Sequence, residues 1–168
     1  MVQDTTLQNT NFLQPTGYKV VINRKKFANL EFFAQSIIHP DVSMAPAITP
    51  FRGADAFQPG DKLEYAELTI SAILDEQMYV YQEMYNWLVY LVQNSVKGAS
   101  RLRPDPSESA YFDINVAVLN SNNNVVRNII YKDAFPINIG SIEFTSTAGD
   151  VQGIIMPVSF RYTQFTFA

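Results

Sequence analysis

One apolar stripe of helical period, set between runs that alternate with period two, most limits the folds open to this chain. Val80, Met84, Trp87, Leu88, Leu91 and Val92 recur three or four residues apart and make one face of a helix. Asp75 is a good N-cap, Glu76 is acidic in the first turn, and Gly98 is a stop signal. The helix is therefore expected over about 75–96. Before it, Leu68, Ile70, Ala72 and Leu74 share one side of a strand. After it come Phe112, Ile114, Val116 and Val118, and later Met156, Val158, Phe160 and Tyr162. The helix lies between strand runs without alternating with them. That pattern predicts an α+β, mostly β class: antiparallel sheets as a sandwich or small barrel with one flanking helix, not a doubly wound fold.

The remaining segments give about seven strands in all. Tyr18–Asn23 and Leu30–Ile38 read as strands joined by a hairpin whose solvated tip is Arg24-Lys25-Lys26. Ser121–Asn124 reads as a turn, with Val125–Tyr131 as its return strand. Lys97–Ser109 is a charged connector, and Ala148-Gly149-Asp150 is a turn. Residues 1–15 are polar and read as a flexible N-terminal arm. At 168 residues, with no repeat or linker, the chain is expected to be a single domain over 1–168.

His39–Asp61 obeys neither period. It carries Pro40, Pro46, Pro50 and Pro59, which resist both helix and central strand. It also carries Val42, Met44, Ile48, Phe51 and Phe57, too many apolar residues for a disordered tract. Two readings stand side by side. In one, residues 39–61 are a long interaction loop that packs on a neighbouring subunit, with Pro46, Ile48, Pro50, Phe51 and Phe57 in the interface. In the other, the loop folds over its own core.

Chemistry is sparse. The chain has no cysteine, so disulfides, thiol nucleophiles and Cys-bearing zinc sites are excluded. His39 is the lone histidine, precedes Pro40, and makes a poor metal site. Asp75-Glu76 reads as a helix cap before it reads as a catalytic pair. Glycines are scattered, and no phosphate loop, Gly-x-Ser-x-Gly elbow or His-Glu-x-x-His motif appears. No catalytic residue, cofactor or metal is expected.

Lys+Arg is 12 against Asp+Glu 16, a net charge of −4, so a basic nucleic-acid binder is disfavoured. Charged residues are only 17%, which suits a chain that hides surface against partners. The polar Met1–Thr10 has no apolar core of a signal peptide. The apolar stretch Met78–Val92 is broken by Gln82, Glu83 and Asn86, so no membrane span is expected.

Two stretches carry a family likeness. Gly60–Leu88 (GDKLEYAELTISAILDEQMYVYQEMYNWL) is a strand, an Asp-Glu break and a helix with Tyr-x-Glu-Met-x-x-Trp-Leu. Phe135–Phe167 (FPINIGSIEFTSTAGDVQGIIMPVSFRYTQFTF) reads as a Phe-Pro-x-Asn-x-Gly turn, a short strand, a small-polar turn and a long last strand. With Phe12–Ile22, they resemble tail tube proteins of contractile-tailed bacteriophages, a family that includes tube-like baseplate and tail-completion proteins. The family's turn often reads Trp-Pro-Thr-Asn, where this chain has Phe135-Pro136-Ile137-Asn138. Lys97–Asp113 departs most.

The resemblance implies a structural, non-enzymatic subunit whose hexameric rings stack into a tube. Its partners would be further copies of itself and the tail sheath, baseplate and tape-measure proteins. DNA would pass through the lumen without specific binding. The tail would assemble in the host bacterial cytoplasm. The alternatives are a terminal ring at the baseplate or tail end, or a monomeric ligand-binding β-sandwich.

Overall fold

The computed structural model describes residues 12–23, 25–96, 110–145 and 153–168. In chain order its elements are β1 (Tyr18–Val21), α1 (Ala28–Phe33), β2 (Ala34–Ile38), β3 (Val42–Ser43), β4 (Ala47–Phe51), β5 (Ala54–Gln58), β6 (Glu64–Tyr65), β7 (Leu68–Ile73), α2 (Tyr79–Val96), β8 (Phe112–Leu119), β9 (Val125–Ile139), β10 (Ile155–Arg161) and β11 (Gln164–Phe167).

Two antiparallel sheets share one long strand. In the first, β1 pairs with β8, β8 with β9, and β9 with β11. In the second, β9 pairs with β10, β10 with β7, and β7 with β2. β9 serves both because it changes direction at Asp133, which adopts φ 54° and donates its N–H to Asp113 Oδ1 at 3.1 Å. On its partner, the break between β10 and β11 falls alongside, where the Thr163 N–H donates to the Lys132 carbonyl at 3.0 Å. The outer strands β1 and β2 do not pair; the Tyr18 hydroxyl bridges them by donating to the Gln35 carbonyl.

The period-two residues face one another across this sandwich. Val20, Ile114, Val116 and Tyr131 from the first sheet and Leu68, Ile70, Met156, Val158 and Phe160 from the second lie in one buried cluster. Each fully buried aliphatic side chain there contributes roughly 1.5–3 kcal/mol relative to exposure. Val80, Met84 and Trp87 of α2 join the same cluster. Trp87 stacks on Phe27, meets Phe112 edge-on, and donates its indole N–H to the Ala110 carbonyl at 3.0 Å. Val92, the last residue of the expected stripe, is exposed.

The helix starts later than its cap. Residues 75–78 form a turn in which Met78 takes φ 57°. Asp75 reaches forward across it, accepting the N–H groups of Tyr79 and Val80 at 3.0 and 3.2 Å.

Several sequence expectations are corrected. Leu30–Phe33 is helix, not strand, because Phe27 and Leu30 both enter the core at helical spacing. α1 has no cap of its own; Glu83 of α2 supplies one, accepting from Asn29 Nδ2 at 2.6 Å and from the Leu30 N–H at 3.4 Å. The expected β1–β2 hairpin does not form, since these strands pair with β8 and β7. The Phe-Pro-x-Asn-x-Gly stretch is no turn, because β9 runs through it to Ile139. No strand forms over 141–145. The last strand is two, and the described residues hold eleven strands where about seven were expected. The 97–109 connector, the 148–150 turn and residues 1–11 of the 1–15 arm lie outside the described residues.

Candidate subunit interface

The proline-rich segment is more ordered than a loop. β3 and β6 pair at its root, Val42 opposite Tyr65 and Ser43 opposite Glu64. Beyond them β4 and β5 form a hairpin closed by Arg52-Gly53, where Gly53 takes φ 85°. Prolines are tolerated because the hairpin has only edges; Pro50 sits in β4 opposite Asp55. At the neck the two chains touch. A Cβ on Gly60 would stand 2.0 Å from the Ala45 carbonyl oxygen, so only glycine fits.

Every residue from 41 to 59 is exposed. The register places Ile48, Pro50 and Phe57 on one face, with Ile48 directly opposite Phe57. Phe51 is on the other face near the tip, and Pro46 precedes β4. Ile48, Phe51 and Phe57 are 58%, 70% and 68% exposed. An isolated two-stranded hairpin is marginally stable in water at best, and this one exposes apolar side chains on both faces.

The root is held by aromatic rings. His39 Nδ1 lies 2.6 Å from the Tyr131 hydroxyl, and its ring meets Phe165 edge-on. Burial pushes the Tyr131 phenol up and the His39 imidazole down, which favours a phenol O–H donating to a neutral imidazole. Tyr65, on the returning chain, packs on Tyr162 and Phe165. The Arg161 guanidinium donates to the Tyr65 carbonyl at 3.0 Å, and its Nε lies 3.9 Å from Glu67. Sequence reasoning missed this cluster. Its one legible signal was the aromatic density of the last strand, which gave no hint that His39 and Tyr65 pack there.

Asp75 and His39, titratable candidates in the sequence, have structural positions. Asp75 is a cap. Burial pushes its carboxyl up, but the backbone N–H groups it accepts outweigh that and hold it below the usual range. His39 is occupied at the arm root. Among the described residues, no group of three or more His, Asp or Glu stands close enough to hold a metal, and no helix is long and apolar enough to cross a membrane. Between β1 and β2 a cleft of about 890 Å³ opens, lined in part by Val20, Ile37, Val116 and Phe167.

A family model described as phage tail tube protein matches residues 5–168. The chain belongs to the phage tail tube protein family. Family membership makes it a structural tube protein and a component of a phage tail. No curated protein matches it by sequence. Solved tube-like structures share its fold. The cap that terminates the tube of the anti-feeding prophage aligns with a TM-score of 0.66 at 14% identity, covering 100% of this chain and 99% of that one. The sheath/tube terminator of an extracellular contractile injection system, in its extended state, gives 0.64 at 11% identity, over 95% of this chain and 98% of that one. A chain of that system's sheath-tube complex gives 0.62 at 11% identity, over 93% and 90%. At such identities the likeness is one of fold: two antiparallel sheets with one main helix.

Proposed function

We propose that this tail tube protein closes into six-membered rings that stack around a lumen through which the genome passes. The observation that carries this is the arm, which is built as a hairpin yet leaves apolar side chains uncovered on both faces. A head-to-tail contact that closes generates a ring, and a second set of contacts along the axis stacks the rings. In this reading Pro46, Ile48, Pro50, Phe51 and Phe57 seat on an adjacent subunit, one face of the hairpin on each of two surfaces. The sheath lies outside the tube, the baseplate at its end and the tape-measure protein within it during assembly in the host cytoplasm. The protein has no catalytic task. At a net charge of −4, the chain repels passing DNA wherever its acids line the lumen, which prevents tight binding through counterion release.

Light scattering over a rising concentration series tests the proposal. It predicts masses at multiples of the 19.0 kDa chain, beginning with a ring. Rings that never stack would instead assign the protein to one end of the tube. A constant 19.0 kDa, alone and with tail partners, would favour a monomeric sandwich.

A further inference from the structure

The arm leaves the body and returns to it on one group of rings. On the outgoing chain, His39 lies edge-on to Phe165, centroids 5.1 Å apart, and shares a hydrogen bond with Tyr131. On the returning chain, Tyr65 packs at 5.6 Å on the same Phe165 and at 5.9 Å on Tyr162. Tyr131, Tyr162 and Phe165 are in mutual contact, so both roots rest on β9 and the β10–β11 corner. The roots are also tied to each other: the Ala66 N–H donates to the Asp41 carbonyl at 3.2 Å, and Val42 pairs with Tyr65. Arg161 fixes the returning backbone through the Tyr65 carbonyl. From 41 to 59 nothing of the arm is buried.

A hairpin without a buried face does not fix its own direction. We infer that His39, Tyr65, Tyr131, Tyr162 and Phe165 form a clamp that sets the direction of the arm in the free protomer, so that the arm meets its neighbour already aimed. The inference rests on the reading of the arm as an interface and adds how that interface is prepared. Its consequence is energetic: an arm ordered in advance spares the cost of ordering it on association. Gly60 extends the same constraint outward, since its close approach to the Ala45 carbonyl locks the neck beyond the clamp. His39 and Tyr65 are positioning residues, because they act on the neighbour only through the arm.

The absence of cysteine permits a direct test. Spin labels on Arg52→Cys at the arm tip and Asn122→Cys in the exposed turn between β8 and β9 report the tip-to-body distance by double electron–electron resonance. Doubly labelled chain is measured below its assembly concentration, as the 19.0 kDa protomer, so that no neighbour holds the arm. The parent and its Tyr65→Phe variant, which keeps the ring, are expected to give one narrow distance. In His39→Ala with Tyr65→Ala the distribution broadens, roughly doubling in width as the root is freed, while far-ultraviolet dichroism is unchanged. His39→Ala alone, at an exposed side chain, gives a smaller broadening and serves if the double variant does not fold. A parent distribution that is already broad, or variant distributions as narrow as the parent's, would overturn the clamp. Broadened distances with full ring assembly would uphold the clamp and count against the arm as an interface.

Discussion

Trp87 lies against Phe27 with ring centroids 4.4 Å apart and an interplanar angle of 21°. This stack joins α2 to the residue that leads into α1, and Phe112 closes its side with edge contacts to both rings. The helix is thereby part of the core of the sandwich.

Trp87→Ala is expected to destabilise the protomer by about 3–5 kcal/mol, the cost of removing a large buried ring. Urea denaturation at low protein concentration measures it. A loss below about 1 kcal/mol, the scale of an ordinary surface substitution, would contradict the packing described.

Asp75→Ala is expected to cost about 1 kcal/mol at neutral pH, because two backbone donors of α2 lose their acceptor. The carboxyl is held below its usual range, so its contribution is full above the unfolded value near 3.8 and is lost as pH falls through the folded one. Parent and variant should therefore converge in stability at strongly acid pH. A gap that persists there would assign the effect to packing instead.

The fold favours neutral His39, whose pKa burial lowers from 6.5. As pH drops below that value, the unfolded chain takes up the proton first, so stability is complete above it and declines beneath it. Tyr131 is the ionisable group bonded to the imidazole, and Lys19 and Glu31 line the same cleft. His39→Gln should flatten the stability profile between about pH 5 and 6.5, before carboxylates titrate. An unchanged slope would show that the decline has another source.

Ile48→Ser combined with Phe57→Ser should leave protomer stability within about 0.5 kcal/mol, since both side chains are exposed in it. Assembly should fail, as expected when a facing pair of apolar anchors is removed from an interface. Thermal melting and sedimentation, run together, separate the two effects. Normal rings from the double variant would remove these residues from the interface.

What the sequence disclosed follows from where its signals are local. The stripe Val80–Met84–Trp87 and the alternations at Leu68–Ala72 and Met156–Phe160 are periodicities within one element, and each reports the face that the core buries. The helix of α1 was illegible because its Phe-rich sequence favours a strand, while its capping group, Glu83, comes from a distant part of the chain. The bend of β9 at Asp133 was equally hidden, since an aspartate at positive φ leaves no pattern. In the arm, prolines masked a hairpin whose one local cue was Gly53 in its turn. The clamp joins residues far apart in sequence, so no window of the sequence contains it.

In the proposed ring, the uncovered arm is covered by another copy. Cryo-electron microscopy of the purified chain at assembly concentration tests this most directly. Closed rings are expected, single or stacked, with the hairpin of β4 and β5 seated on an adjacent subunit and Ile48, Phe51 and Phe57 buried there. Closed rings in which the hairpin projects into solvent, or particles no larger than one 19.0 kDa chain, would contradict it.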